Sequence, residues 1–382
     1  MDFSAIDLSA EDQVFLDETR AFITKHVTDE VLRRQREFGE NFDEQVHLAL
    51  GEAGYLAADW QLESEGGFSA VRRRIFHLEI ARAHTPWYHW GTTSVVARLV
   101  QQFGVPELAE KVVPGVLSGE IRLCLGYTEP EGGSDVATCK TRAVRDGSGW
   151  VINGSKMFTS NAQNARYVFL LTNTDPQGSR HKNLTMFLVP LDTPGIEIQA
   201  IRTLDGDRTN IVYYSDVRVD DLYRIGEVNG GWTVMRSALD SEHGIGDPED
   251  HGLQYIAALS AHGDLMAEVV DTVAAFLAEV GDESVKYRLG RGIARMEAAL
   301  STPGMFGRVA IAQTMRDISP DLMDILGTAS ALPAGTRASA TDGAGEHLYR
   351  LALPVGIYGG TLEGFRNMIA QHTLKLGRPS YG

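Results

Sequence analysis

Cysteine is nearly absent from this sequence: Cys124 and Cys139 are the only two in 382 residues. Two thiols exclude a disulfide framework and a cysteine-cluster metal site, and they read as reduced side chains. Basic residues are also short, with 35 Lys and Arg against 51 Asp and Glu, a net charge of −16 and a pI near 5.1. So acidic a chain is not built to coat nucleic acid or an anionic membrane, because both need a basic face. The one basic run, Arg72-Arg73-Arg74, reads most simply as a solvated helix face, although such a patch can also meet phosphate. No apolar run approaches the ~20 residues that span a bilayer. The opening MDFSAIDLSAEDQ is acidic and lacks the basic-then-apolar order of a signal peptide. The eleven histidines include no i,i+4 pair with a supporting carboxylate, so no metal site is expected. Neither G-x-G-x-x-G nor G-x-x-x-x-G-K occurs, which removes the Rossmann and P-loop patterns. These absences predict a cytoplasmic protein with no membrane span.

What is present is ordinary globular composition, 43% apolar and 23% charged, at a length that suggests two or three domains. The first third reads helical. Ser9-Ala10-Glu11-Asp12 has the form of a capping box, and Phe15 with Phe22 and Leu16 with Ile23 repeat at i+7 on one face. Further helices are expected around 42–53, 68–84, 90–103 and 106–118, punctuated by Gly66-Gly67, Pro86 and Gly104. From about 121 the pattern turns to short β-rich runs at 121–127, 150–152, 167–172, 184–189 and 211–219. Asp146-Gly147-Ser148-Gly149, Asn153-Gly154, Asp175-Pro176 and Thr193-Pro194-Gly195 read as the turns between them. No repeated helix separates these strands, so the expectation is an antiparallel β domain. After Asn229-Gly230-Gly231 the helical period returns and continues, with Pro and Gly breaks, to Arg378. The stretch 329–346, rich in small residues, reads as a loop. The predicted class is α+β, with a helical domain over 1–120, a barrel-like β domain over 121–228 and a C-terminal four-helix bundle over 229–382.

Three segments carry the chemistry. Thr128-Glu129-Pro130-Glu131-Gly132-Gly133-Ser134-Asp135 follows the first strand, where glycines permit close approach of a ligand and hydroxyls can bond its heteroatoms. Alone it reads as a Gly-rich turn. Asn153-Gly154-Ser155-Lys156-Met157-Phe158-Thr159-Ser160-Asn161 and Ile357-Tyr358-Gly359-Gly360-Thr361-Leu362-Glu363 accompany it. In this order, within a helix–β–helix plan, the three resemble the acyl-CoA dehydrogenase family over nearly the whole chain. The resemblance is strong over 121–243 and 355–378 and weak over 270–345.

That resemblance implies FAD held between the β domain and the C-terminal helices. It places the backbone from Leu125 to Tyr127 along the flavin ring, the Thr128 hydroxyl on it and Gly133 close by. Ser134 stands at a phosphate or acyl-CoA contact. Phe158 takes the position of the family's Trp against the flavin, and Ser160 that of the Thr near N5. Tyr358, Thr361 and Glu363 complete the cofactor set, with Glu363 where Gln is commoner. Asp240, His243 and Tyr358 join Ser134 on the substrate side.

The family's reaction needs a carboxylate base for the α-proton while hydride leaves the β-carbon, and a dry site lifts such a carboxylate toward neutrality. The best-known members carry this Glu directly after the C-terminal Ile-Tyr. Here that residue is Gly359, which keeps only its backbone N–H to hold the thioester carbonyl. A minority of members, like isovaleryl- and long-chain-acyl-CoA dehydrogenases, supply the base from the helix after the β domain, and Glu242 matches that position. Residue 243 is His where Arg is usual, and Gly244 and Gly246 weaken the helix beyond it. The family's Arg-x-x-Phe-Gly, which reaches a neighbouring subunit's FAD, is missing, with Arg288-Leu289-Gly290-Arg291-Gly292 a poor substitute. This pattern resembles bacterial members built from two unlike subunits, two copies of each.

The implied activity is FAD-dependent α,β-dehydrogenation of an acyl-CoA to the trans-2-enoyl-CoA, the acyl group bulky or steroid-derived, with electrons leaving to an electron-transfer flavoprotein. The implied assembly is a hetero-oligomer with a second acyl-CoA dehydrogenase-like subunit, otherwise a homodimer or homotetramer. Two other readings stay open: a non-catalytic subunit that helps hold FAD, and an oxidase or monooxygenase on the same fold.

Overall fold

Capping side chains start most of the N-terminal helices. Ser9 Oγ accepts the Asp12 N–H at 3.1 Å and donates to the Asp12 carboxylate at 2.7 Å, opening α1 (Ala10–His26). Thr28, Asp43 and Ser69 cap α2 (Asp29–Phe38), α3 (Glu44–Glu52) and α5 (Ala70–Arg82) in the same way. The short α4 (Tyr55–Trp60) and α6 (Trp90–Phe103) lack such a cap, and α7 (Pro106–Leu117) begins on a proline that has no N–H to satisfy. The computed structural model describes residues 7–242, 262–278, 282–302 and 304–377.

The expected helical face of α1 is real: Phe15 and Phe22 both pack on the ring of Tyr55, at 6.4 and 5.0 Å. Phe76 stacks on Tyr55, and Leu50, Leu56, Phe76, Val96, Val100 and Leu108 of these helices are fully buried. The arginine run is not a solvated face. Arg72 pairs with Asp12, and Arg73 turns inward, donating to the Gln61 carbonyl and lying 3.6 Å from Asp59.

Eight strands form one sheet: β1 (Leu123–Gly126), β2 (Arg142–Asp146), β3 (Gly149–Lys156), β4 (Tyr167–Asn173), β5 (Leu184–Pro190), β6 (Ile196–Arg202), β7 (Arg208–Asp220) and β8 (Arg224–Ile225). Their order is β6-β7-β3-β2-β4-β5-β8, with β1 paired to β4. Pairing is antiparallel except β1 on β4 and a single parallel register pair, Arg142 with Asn173, between β2 and β4. In β4 and β5 six successive residues are buried, which is why both read as continuous apolar runs rather than alternating ones.

Asn153-Gly154 is not a turn. It lies inside β3, where the register against β7 slips between Ile152 and Gly154. A bulge there explains the turn-like composition. Gly154 has φ +147°, and an added Cβ would come within 2.6–2.9 Å of Thr141. Asn153 exchanges two hydrogen bonds with Asp216 across the bulge.

A division into two compact units falls between Ala238 and Leu239, within α8 (Gly231–Glu242). The C-terminal unit contains α9 (Gly263–Leu277), α10 (Glu283–Leu300), α11 (Gly304–Leu326), α12 (Ala344–Ala352) and α13 (Leu362–Met368). They enclose a core of Met266, Val270, Val273, Ala312, Met315 and Leu348. Pro320 does not break α11, which runs through it. The expected loop at 329–346 contains 3₁₀ turns at Thr328–Ala331 and Ala340–Gly343, and α12 takes its last three residues. Among the described residues no helix is long and apolar enough to cross a membrane.

Candidate active site

In the N-terminal unit the site is built where β1 ends. Glu129 and Gly132 exchange backbone hydrogen bonds of 2.9 and 3.1 Å around Pro130, closing a tight turn. Thr128 O accepts the N–H of Met157 at 2.8 Å, so the first motif is fastened to the second. Leu125, Tyr127 and Thr128 are half-buried, while Gly133 and Ser134 are exposed. A Cβ on Gly133 would meet the Thr128 methyl at 3.1 Å.

Beneath this loop lies a feature the sequence reading missed. Lys156 is fully buried, and its ammonium contacts Glu129 Oε1 at 2.7 Å, Tyr127 O at 3.2 Å and Cys139 Sγ at 3.4 Å. The Glu129 carboxylate also accepts the N–H groups of Lys140 and Thr141. Burial alone would raise the Glu129 carboxyl, but Lys156 and these N–H groups outweigh it and hold it down at about 2. Burial pushes the Cys139 thiol up to about 11, so it stays protonated, and Glu129 Oε1 at 3.2 Å and Leu171 O at 3.3 Å are alternative acceptors for its one S–H. Both cysteines are free and buried.

Phe158 stands out. It has φ +56°, a left-handed conformation costly for a bulky residue, and its ring is 56% exposed. Strain of this kind concentrates at functional sites. Ser160 is exposed, with Oγ 3.0 Å from Thr209 Oγ1. Thr159 Oγ1 and Asn161 Nδ2 in the same loop, and Asn210 Oδ1 on the adjoining β7, are buried and have no hydrogen-bond partner among the described residues. An exposed aromatic face, adjacent hydroxyls and orphaned polar atoms suit a flat ring with polar edges. The loop 179–182 approaches the first motif through Arg180, which pairs with Asp135 at 2.5 Å, while His181 packs on Trp232 at the start of α8.

On α8, Val234, Met235 and Ala238 are buried. Glu242 ends the helix. The side chains of Glu242 and Asp240, and all of His243, lie outside the described residues.

In the C-terminal unit, Tyr358 is half-buried and Gly359 and Gly360 are exposed, with φ +60° and +99°. Thr361 caps α13, its Oγ1 accepting the Gly364 N–H at 3.0 Å. Glu363 is exposed in the first turn of α13, 3.6 Å from Arg366. Arg288 and Arg291, the nearest substitutes for the missing Arg-x-x-Phe-Gly, are occupied: Arg288 pairs with Asp321 and Asp324, and Arg291 with Asp321.

Residues 9–120 match the acyl-CoA dehydrogenase N-terminal domain and residues 124–221 the acyl-CoA dehydrogenase middle domain. The chain belongs to the acyl-CoA dehydrogenase family. Acyl-CoA dehydrogenase FadE26 of Mycobacterium tuberculosis is 30% identical over 373 residues, 90% of each chain. FadE29 of the same organism is 34% identical over 240 residues, so the match spans 62% of that relative's length. Among solved structures, the Tcur3481-Tcur3483 steroid ACAD superposes with TM-score 0.83 at 29% identity, covering 98% of this chain and all of that one. The ChsE4-ChsE5 complex from Mycobacterium tuberculosis gives 0.81 at 27% identity, with 98% and 100% covered.

Proposed function

We propose that this chain is a FAD-dependent dehydrogenase that desaturates the α,β-bond of a bulky, steroid-derived acyl-CoA. The observation that carries the reading is Phe158: an exposed ring in a strained backbone conformation, beside the Thr128–Met157 bond that joins the family's two β-domain motifs. Leu125, Tyr127, Thr128, Gly133, Phe158 and Ser160 would hold the flavin ring. Tyr358, Thr361 and Glu363 would serve the rest of the cofactor. FAD, when bound, accepts the hydride lost from the β-carbon.

The chain's own residues act on the substrate's α-proton and thioester carbonyl. Glu242 takes the α-proton, since Gly359 has no carboxylate to do so. The Gly359 N–H bonds the thioester carbonyl oxygen and stabilises the charge that develops there. Ser134, Asp240, His243 and Tyr358 would contact the acyl-CoA. The steroid assignment is supported by likeness to a solved steroid ACAD. An electron-transfer flavoprotein is the expected electron acceptor, in the cytoplasm.

The assembly we infer is a heteromer with a second acyl-CoA dehydrogenase-like subunit, supported by likeness to the ChsE4-ChsE5 complex and by the internal pairing of Arg288 and Arg291. A non-catalytic FAD-holding subunit is the second reading, favoured by the same pairing. Glu242→Gln in the co-expressed complex separates the two. Loss of a general base lowers turnover by ~10²–10⁴ while flavin and substrate still bind. Flavin bleaching by a steroid-derived acyl-CoA at the wild-type rate would rule out Glu242 as the base.

A further inference from the structure

The Tyr358 carbonyl and the Gly359 N–H belong to one peptide unit, and that carbonyl is gripped from behind. Arg308 Nη2 donates to Tyr358 O at 2.9 Å and to Val355 O at 2.7 Å. Arg308 lies on α11 and is 1% exposed. Its guanidinium carbon is 6.0 Å from the ring centroid of Tyr358 and 5.7 Å from that of Phe365.

We propose that Arg308 is a positioning residue for the dehydrogenation: it orients and polarises the Tyr358–Gly359 peptide so that the Gly359 N–H is a fixed, strong donor to the thioester carbonyl. This rests on the reading of Gly359 given above. The physical argument has two parts. Across a planar trans peptide the C=O and N–H point in opposite directions. Pinning the carbonyl toward α11 therefore aims the N–H away from it. The pin matters because Gly359 and Gly360 both have positive φ, and two adjacent glycines leave a peptide free to rotate unless something holds it. The two bonds to Val355 and Tyr358 bracket that freedom from one rigid side chain.

The second part is electronic. A hydrogen bond from a cation is stronger than a neutral one, and successive hydrogen bonds through one peptide polarise each other. Positive charge at the Tyr358 oxygen draws electrons through the amide and leaves the Gly359 N–H more acidic. The thioester carbonyl bound there is then more polarised and its α-proton easier to remove. Both carbonyls are met by the one nitrogen Nη2; lysine keeps the charge on a shorter, more flexible stem that holds the pair less firmly, and glutamine can bond but brings no charge.

The test uses the FAD-loaded, co-expressed enzyme and the 3-thia analogue of the best acyl-CoA found for it, a ligand whose α-proton can leave but which has no β-hydride to give. Its deprotonation is read from the long-wavelength charge-transfer absorbance, titrated against pH. Arg308→Gln should raise the pH midpoint of that band by at least one unit, and Arg308→Lys by less. In the flavin-free chain, amide hydrogen exchange over residues 354–361 should quicken at least tenfold in Arg308→Gln and less in Arg308→Lys. An unchanged midpoint and unchanged exchange in both variants would overturn the inference. A wild-type enzyme that binds the analogue and gives no band would overturn the underlying reading of the site instead. If Arg308→Gln does not fold, Arg308→Lys decides on both readouts.

Discussion

Lys156 Nζ lies 2.7 Å from Glu129 Oε1, with the two side chains 0% and 9% exposed. This one contact joins the two most informative motifs of the β domain. Glu129 is the acid of Thr128-Glu129-Pro130, and Lys156 immediately precedes Met157, whose N–H bonds Thr128 O. The Tyr127 carbonyl takes another ammonium proton, so the backbone expected along the flavin is held on the side of the buried cation.

Removing one partner of a buried ion pair leaves the other charge uncompensated, which costs ~3–5 kcal/mol. Lys156→Met should therefore lower unfolding free energy by about that amount, and Glu129→Gln added to it should recover part of the loss. Urea denaturation followed by circular dichroism measures both. The acid limb has a sign as well. Because Glu129 is held down at about 2 against an ordinary 4.5, its contribution is complete above 4.5. It is lost as pH falls through that window to about 2. A Lys156→Met loss below ~1 kcal/mol, with a flat pH profile over the window, would show that the pair is not a lock.

A different acid effect should appear at higher pH. Burial pushes His47 down to about 4, with Arg122 and His89 adding to it. Burial likewise holds His89 down at about 4, against the opposing pull of the Glu40 carbonyl and carboxylate. Both fold as neutral rings, so the unfolded chain binds more protons as pH falls below 6.5. Their stability is complete above 6.5 and is lost between there and about 4, at up to ~1.4 kcal/mol per pH unit for each histidine. The urea midpoint should begin to fall near pH 6, and His47→Gln should flatten the slope between pH 6.5 and 5. An unaltered slope would assign this limb to other groups.

The fold was legible where a residue's environment follows its own period. Helices over 90–103 and 106–117 match expectation because their apolar stripes face one core. β2 was not legible, since of its five residues only Ala143 is buried and Val144 is 60% exposed. It is a strand because β3 pairs with it. β6 did carry a signal, Ile196 and Ile198 in alternation, that went unread, and α2 buries only Val31. At the site, motif residues could be placed by resemblance, but Lys156 and Arg308 could not. Each is a lone cation in its segment, and what gives it a role is a carbonyl or carboxylate far away in sequence: Glu129 for one, Val355 and Tyr358 for the other.

Phe158 should trade stability against cofactor. A bulky residue held in the left-handed region costs on the order of 1 kcal/mol, and glycine there does not. Phe158→Gly should thus raise the stability of the flavin-free chain by about 1 kcal/mol, since a ring 56% exposed contributes little packing. The same change removes the aromatic face proposed to lie against the flavin, so FAD retention through gel filtration should drop. Equal retention with raised stability would place the flavin away from Phe158.

The last prediction concerns assembly. The pyrophosphate of FAD is doubly charged, and a chain of net charge −16 must meet it with placed cations or N–H groups. Arg288 and Arg291 are the local candidates, but both are paired with acids of α11: Asp321 takes both arginines and Asp324 a second bond from Arg288. Freeing them for a phosphate would break a ladder that Arg295 and Asp317 continue, whereas a partner subunit with its own unpaired arginine has no such cost. We expect the chain purified alone to hold well under one FAD per copy, and the co-expressed heteromer to hold one per site. Binding and assembly are then linked, so FAD should raise the melting temperature of the mixed complex more than that of the isolated chain. Arg288→Ala with Arg291→Ala should loosen the packing of α10 on α11 and leave FAD occupancy of the heteromer unchanged. A homo-oligomer with one tightly bound FAD per chain, lost on mutating those two arginines, would reverse the assignment and make the like subunit the donor.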